Sequence, residues 1–135
     1  MAKYFYDDKD NIKESLLTTQ AKSWAESFVD PRKLGKDPKL TSAQLRKYHF
    51  EVKTLEERTK NMSNDDFLKL RPIIKMLKSK VAYACRTPGR DRKIPEAFKK
   101  YIDEMVDNVN DVNDFKAFAL CFESVVGFFY GQGGR

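Results

Sequence analysis

The residues best suited to chemistry in this sequence are lysines and arginines that recur at a helical spacing. Arg71, Lys75 and Lys78 are separated by four and three residues, and Lys80 widens the row. Side chains at these spacings share one face of a helix. We predict that this face lies opposite the apolar stripe of the same helix. No acidic residue occurs in positions 67–90. The row predicts contacts to nucleic-acid phosphates, because such contacts are charge-assisted and independent of base sequence.

A second group of cations follows this helix in the segment RTPGRDRK, residues 86–93. Pro88 and Gly89 fit the two central positions of a type II turn. Arg86 and Arg90 flank that turn, and an arginine can donate two hydrogen bonds to one phosphate. We therefore predict that the basic surface continues from the helix into the turn. A plain solvated face is the alternative interpretation of the lysine row.

Charge is unevenly distributed along the chain, whose 135 residues carry a net charge of +6. Residues 1–30 carry −2 and residues 101–135 carry −4, whereas residues 31–63 carry +5 and residues 64–100 carry +7. A basic middle between acidic ends indicates one surface that binds a polyanion and a second surface that avoids it.

Two tyrosines lie close in sequence to these cations. Tyr48 and Tyr83 offer aromatic faces on which a nucleic-acid base can stack. Both also lie in or beside the apolar stripes of their helices, so packing in the core is the interpretation that we favour for each.

The sequence lacks a constellation that would support catalysis. His49 is the only histidine, and no nucleophile or metal ligand is paired with it. Asp103 and Asp107 share a helix face, but isolated surface carboxylates hold divalent ions weakly. The tail GQGGR follows a helix and lacks the lysine of a phosphate-binding loop. We expect no enzyme activity, no cofactor and no bound metal.

Apolar residues recur with helical periodicity in five places, and strand patterns are almost absent. We predict an all-α fold, a compact bundle of about five helices that forms a single domain over residues 1–135. The tail, about residues 131–135, is expected to be flexible. The predicted helices cover 10–29, the stretch from Thr41 to the segment KNMSND, 65–86, the stretch from Pro95 to the segment NVND, and 112–130.

Three local features carry their own expectations. Thr41 and Gln44 have the spacing of a capping box at the start of the second helix. Pro72 lies inside the third helix, where it predicts a kink or a break near Arg71. The last helix is apolar nearly all round, which predicts a place at the centre of the bundle or in a subunit contact.

The cysteines and the hydropathy of the sequence indicate in which compartment the protein is expected. Cys85 and Cys121 lie in apolar helical patterns without a paired spacing, so we predict two buried thiols. No apolar run reaches the roughly 18 residues of a membrane span, and the first residues lack the apolar stretch of a signal peptide. We therefore expect a cytoplasmic protein.

Part of the sequence resembles the Csm-type small subunit of type III-A CRISPR effector complexes. The part LRPIIKMLKSKVAYACRTPGR carries most of the resemblance, because its lysine-rich helix runs into an AYA-x-R step. The first forty residues contribute little to it. The resembling stretches are LTSAQLRKYHFEVKTL, FLKLRPIIKMLKSKVAYACRTPGR and DFKAFALCFESVVGFFY.

This resemblance implies a non-catalytic, all-helical subunit that lines the effector filament in several copies. It implies contacts, mainly through phosphates, to the guide RNA and to the target RNA paired with it. Target cleavage would belong to a neighbouring backbone subunit and nucleotide chemistry to the large subunit. The residues that it places against RNA are Arg46, Lys47, Lys75, Lys78, Lys80, Arg86 and Arg90.

A helical adaptor is the competing hypothesis, in which the acidic, aromatic C-terminal half binds a protein partner and RNA is not bound. The two hypotheses are compatible, because a filament subunit needs a protein surface as well as an RNA surface. The other effector subunits are the expected protein partners, and an isolated copy can self-associate through its apolar last helix.

Overall fold

The structure is a computed structural model that describes residues 3–29, 39–85 and 94–132. Within these ranges the backbone forms six α-helices, and an isolated bridge between Tyr6 and Ile12 is the one β-type pairing. The predicted all-α bundle is confirmed, and α1 and α2, separated only by Thr18, share the first predicted helix. The helices are α1 (Glu14–Leu17), α2 (Thr19–Ser27), α3 (Ser42–Thr59), α4 (Asn64–Cys85), α5 (Glu96–Asp107) and α6 (Val112–Gly131).

The capping box predicted at the start of α3 is confirmed. The Thr41 hydroxyl accepts a hydrogen bond from the Gln44 backbone N–H at 3.2 Å, and the Gln44 side-chain oxygen accepts one from the Thr41 N–H at 2.9 Å. These bonds satisfy two backbone donors that have no partner inside the helix. The start of α6 is capped in a related way, since the Asp111 carboxylate accepts from the Asp114 N–H at 2.8 Å.

Helix α4 runs through Pro72 without a break, so of the predicted kink or break near Arg71 the break does not occur. A proline at this position removes the hydrogen bond to the carbonyl of Leu68, one turn earlier. Pro72 and Leu68 are both exposed, so water can satisfy that carbonyl. The helix therefore continues across the proline.

Helix α6 lies at the centre of the bundle. Helices α1, α2 and α3 all pack on it, and α5 packs against both α2 and α4. Its aromatic side chains join those of α5, with the Phe118 and Phe122 rings 6.0 Å apart and the Phe122 and Tyr101 rings 5.9 Å apart. Its buried residues are Val112, Phe115, Ala117, Phe118, Ala119, Cys121, Phe122, Val125, Val126 and Phe129.

Several sequence predictions fall outside the described residues. The predicted turn at residues 86–93, including Pro88 and Gly89, is one of them. The predicted tail is another in part, because α6 includes Gly131 and residues 133–135 are not described.

Candidate nucleic-acid interface

The cation row of α4 borders the apolar stripe of the helix instead of lying opposite it. At roughly 100° per residue, Arg71, Lys75 and Lys78 lie within about 40 to 100° of the stripe residue Ile74. All three are half-buried, whereas Ile74 is fully buried. The prediction that the row faces away from the stripe is therefore wrong, and the residues that do face away are largely apolar.

Each cation of this row contacts the end of α5 or the turn after it. Lys75 Nζ donates a hydrogen bond to the Val106 carbonyl at 2.6 Å, and Lys78 Nζ pairs with the Asp107 carboxylate. Arg71 Nη1 donates to the Asn110 carbonyl at 3.2 Å. The row thus binds groups of its own chain.

The end of α5 is suited to receive these cations. The last carbonyls of a helix lack intrahelical donors, and the helix dipole places partial negative charge there. The last turn of α5 contains no basic residue of its own. Arg71, Lys75 and Lys78 supply the missing positive charge from the neighbouring helix, so they join α4 to α5.

The electrostatic environment of Lys75 reflects this position. The pKa of its ammonium is lowered, first because burial disfavours the charged form and then because Arg71 is nearby. Asp107 acts in the opposite direction. Lys75 therefore attracts phosphate less strongly than an exposed lysine would, because its ammonium already contacts groups of its own chain.

Lys80 lies on a different side of α4 and faces α3. Its Nζ is 3.3 Å from Glu51 Oε1, and about half of its side chain is exposed. Lys47 projects from α3 on the same side, with its Nζ 5.7 Å from the centroid of the Tyr48 ring. Arg46, the neighbour of Lys47, is also exposed.

A groove of about 730 Å³ separates α3 from α4 at this point. Lys47, Glu51, Lys80 and Tyr83 all line it. Two of the predicted RNA-facing residues are thus brought to one groove, and Arg46 lies next to it in sequence. The remaining two, Arg86 and Arg90, lie outside the described residues, although Cys85, the last residue of α4, immediately precedes Arg86.

The family model described as Csm2 Type III-A matches residues 11–134. The chain belongs to the Csm2 Type III-A family. It is therefore a small subunit of the type III-A CRISPR effector. No significant match was found among curated proteins or among solved structures.

The family match extends the resemblance seen in the sequence. It begins at residue 11 and so includes α1 and α2, whereas the first forty residues had shown little resemblance. These helices pack on α6, which lies within the last stretch of the resemblance. The N-terminal helices therefore belong to the family's domain.

The cysteines of this Csm2-family chain have the surroundings that the sequence predicted, since Cys85 and Cys121 are both buried and neither forms a disulfide bond. The Cys121 thiol donates to the Leu16 carbonyl at 3.2 Å and accepts from the Tyr101 hydroxyl at 3.5 Å. His49 is half-buried against the Phe122 ring, with ring centroids 5.8 Å apart.

Two carboxylates on the outer face of α5 are paired with lysines. Asp103 accepts a hydrogen bond from Lys99 at 2.8 Å, and Asp107 pairs with Lys78. Among residues 3–29, 39–85 and 94–132, no three histidine, cysteine or acidic side chains gather as metal ligands would. In the same ranges, no helix combines the length and the apolar character that a membrane span requires.

Two residues of the groove differ from what the sequence predicts. Core packing is the favoured sequence interpretation of Tyr83, but 67% of this residue is exposed, whereas Tyr48 is buried. Tyr83 lies two residues after the stripe residue Val81, an offset of roughly 200°, and this offset could have placed it on the outer face. No sequence pattern predicts Glu51 as a groove residue, because its contact is with Lys80, which lies 29 residues later in the chain.

Proposed function

We propose that this chain is a non-catalytic RNA-binding subunit that holds the guide RNA and the paired target RNA through their phosphates. Membership of the Csm2 Type III-A family supports assembly with RNA and with other effector subunits. Sequence information then comes from pairing between guide and target, as in other guided systems. The protein needs only a surface that attracts the backbone.

The observation that carries this proposal is the convergence of cations at the α3–α4 groove. Lys47 and Lys80 line it from two helices, and Arg46 is exposed beside Lys47. Charges that project from two helices can contact successive phosphates along a strand. Arg86 and Arg90 extend the same surface in our proposal, since they follow the end of α4 in sequence.

Lys75 and Lys78 have a dual role in this proposal. Both are bound to the end of α5, yet 37% of the Lys78 side chain remains exposed. A half-exposed ammonium can still attract a phosphate while it holds a carboxylate. We assign these two residues a smaller share of RNA affinity than Arg46 and Lys47, and a larger share of stability.

Contacts with neighbouring subunits would use the exposed apolar side chains. Phe50 of α3 and Ile73 of α4 border one pocket of about 230 Å³, and both are well exposed. On α6 most aromatics belong to the core, so self-association through the C-terminal helix would rest on Leu120, Phe128 and Tyr130, which are partly exposed. As a ribonucleoprotein component, the chain would act in the cytoplasm.

A helical adaptor without RNA affinity is the second candidate, and the exposure of Phe50 favours it. That side chain is 71% exposed, and large apolar surfaces on a domain often mark protein contacts. The aromatics of the C-terminal half are mostly buried, so we place the surface of this candidate adaptor on α3 and α4 instead. RNA binding by the isolated chain separates the two candidates.

The test compares two double variants that each remove two positive charges. Arg46→Gln with Lys47→Gln neutralises the α3 side of the groove. Lys22→Gln with Lys116→Gln neutralises exposed lysines on α2 and α6 and serves as the matched control. Fluorescence anisotropy with a labelled single-stranded RNA of about 20 nucleotides, from about 50 to 200 mM salt, measures affinity and its salt dependence.

We expect the wild-type affinity to fall steeply with salt. In the groove variant, the slope of log affinity against log salt should become shallower by roughly 1 to 2, since each lost phosphate contact removes about 0.7 on a single strand. The control variant should keep most of the wild-type slope. Salt-independent binding, or equal losses in the two variants, would contradict phosphate binding at the groove, and no binding at all would favour the adaptor.

A further inference from the structure

The α3–α4 groove has properties that phosphate binding alone does not use. Its volume of about 730 Å³ lies in the range of sites that enclose small organic ligands. A row of cations that contacts a backbone needs no such cavity, because phosphates lie on the outside of a nucleic acid. The groove therefore has room for another part of the RNA.

Tyr83 supplies an aromatic face at this groove. It projects from α4, is 67% exposed and is one of the groove's lining residues. An exposed aromatic ring in a basic groove is the surface on which proteins stack single-stranded bases. Tyr48, the other tyrosine of the groove, is buried and contributes to the wall instead.

Glu51 shows which part of a nucleotide the groove can receive. Its Oε1 accepts from Lys80, while its Oε2 is buried and has no hydrogen-bond partner among the described residues. A carboxylate repels phosphate and only accepts hydrogen bonds. The part of a nucleotide that approaches Glu51 must therefore carry N–H donors, as the edge of a base does, while the phosphate stays near Lys47.

We propose that the α3–α4 groove binds one unpaired RNA nucleotide, with its base stacked on Tyr83 and its donor-bearing edge directed at Glu51. This inference rests on the proposed RNA-binding function and adds a base-reading site to it. Guanine fits best, because its N1–H and 2-amino group are two adjacent donors, whereas the Glu51 carboxylate offers only acceptors. Uracil fits worst, because carbonyl acceptors flank its single ring N–H.

The test measures the binding of short single strands to the full chain by fluorescence anisotropy. The probes are uridine hexamers in which one central residue is guanosine, inosine, adenosine or uridine. Inosine retains N1–H but lacks the 2-amino group. Affinity should decrease from guanosine through inosine to uridine, and because all probes carry the same phosphates, differences between them report on the base.

Three variants identify the residues responsible. Tyr83→Ala should weaken the guanosine hexamer by roughly 5-fold or more, as expected for the loss of one stacked base. Tyr83→Phe should retain the affinity, since it keeps the ring. Tyr130→Ala, which removes a partly exposed tyrosine from α6, is the matched control and should leave all four affinities unchanged.

Glu51→Gln tests the edge of the base separately from its stacking. Loss of the negative charge should raise or preserve the affinity for the uridine hexamer, because Lys80 is released towards phosphate. The ratio between the guanosine and uridine affinities should nevertheless fall, since an amide presents one acceptor oxygen in place of two. The ratio of the guanosine affinity to the uridine affinity, and not the affinity for any single hexamer, therefore tests the contact with Glu51.

The outcomes distinguish this inference from the function on which it rests. If Tyr83→Ala binds every hexamer like the wild type while binding remains salt-dependent, the base site is refuted and phosphate binding stands. If the four hexamers bind equally, base reading is likewise refuted. If no hexamer and no longer RNA binds, the proposed function itself fails, and the groove would accommodate a side chain of a partner protein.

Discussion

The ammonium of Lys75 donates a hydrogen bond of 2.6 Å to the backbone carbonyl of Val106, one residue before the end of α5. The same carbonyl also accepts from the Val109 N–H at 3.1 Å. A lysine that looks in the sequence like part of a phosphate-binding row is thus part of the joint between α4 and α5. Stability and RNA affinity must be measured separately for every cation of that row.

Lys75→Met should lower the free energy of unfolding by about 1 to 2 kcal/mol. Methionine retains the apolar stem of lysine but removes the donor, so the partly buried end of α5 loses a charge-assisted hydrogen bond. Urea denaturation followed by circular dichroism measures the change. Lys69→Met is the control, because the Lys69 side chain is 83% exposed and pairs only weakly with Asp66, and it should alter stability by less than about 0.5 kcal/mol. Equal effects of the two substitutions would show that the contact of Lys75 with the end of α5 does not stabilise the fold.

The sequence predicted the helices and the capping box of α3 well, because these depend on neighbouring residues. The apolar periodicity gave the helices of the bundle, and the spacing of Thr41 and Gln44 gave the cap of α3. The partners of Lys75 and Lys80 depend instead on how α4 packs against α5 and α3. That packing joins residues about thirty positions apart, which periodicity within one helix does not determine.

Pro72 is a second residue whose effect cannot be predicted from the local sequence alone. The residue type alone predicts a kink or a break, but whether a helix continues without the missing hydrogen bond depends on whether water reaches the carbonyl left without a donor. Leu68 lies on the exposed side of α4, so its carbonyl is in a position where water can reach it. Local rules therefore overstate the effect of proline on a solvent-facing stretch.

Pro72→Ala should stabilise the protein by about 1 to 3 kcal/mol, because it restores the hydrogen bond to the Leu68 carbonyl without disturbing the core. The gain is reduced by the greater flexibility of the unfolded chain. Urea denaturation checks it against Ser79→Ala, an exposed substitution on the same helix that should change stability by less than about 0.5 kcal/mol. An unchanged or lowered stability in Pro72→Ala would mean that α4 needs the proline.

His49 should make the protein less stable in mild acid. Its pKa is lowered, first by burial and then by Lys53, with partial compensation from Glu123 and Glu56. Below a pH of about 6.5 the unfolded chain therefore binds more protons than the folded chain, and the free energy of unfolding falls as the pH falls.

His49→Gln removes this titration while keeping a polar side chain beside Phe122. Urea denaturation at pH values of about 5.5 and 7.5, on either side of the ordinary histidine pKa, should show a smaller acid-induced loss in the variant than in the wild type. Because every other titrating group is shared by the two proteins, the difference between the losses reports on His49. Identical losses would show that His49 does not control stability in this range.

One further double variant, compared with the groove variant described above, should separate the structural cations from the RNA-binding ones. Lys75→Gln with Lys78→Gln removes two charges at the end of α5, and Arg46→Gln with Lys47→Gln removes two beside the groove. The first variant should lose more stability, because its lysines hold a carbonyl and a carboxylate of the neighbouring helix. The second should lose more RNA affinity, because its side chains are exposed.

Both quantities are measured on each variant, with urea denaturation for stability and salt-dependent anisotropy for RNA. The removed charge is equal, so a loss of affinity that depended on net charge alone would be the same in both. A larger loss of affinity in the Lys75 and Lys78 variant, at temperatures where it remains folded, would move the RNA surface to the α4–α5 side. The ranking follows from what each ammonium or guanidinium contacts in the folded chain, since the two pairs differ in environment and not in charge.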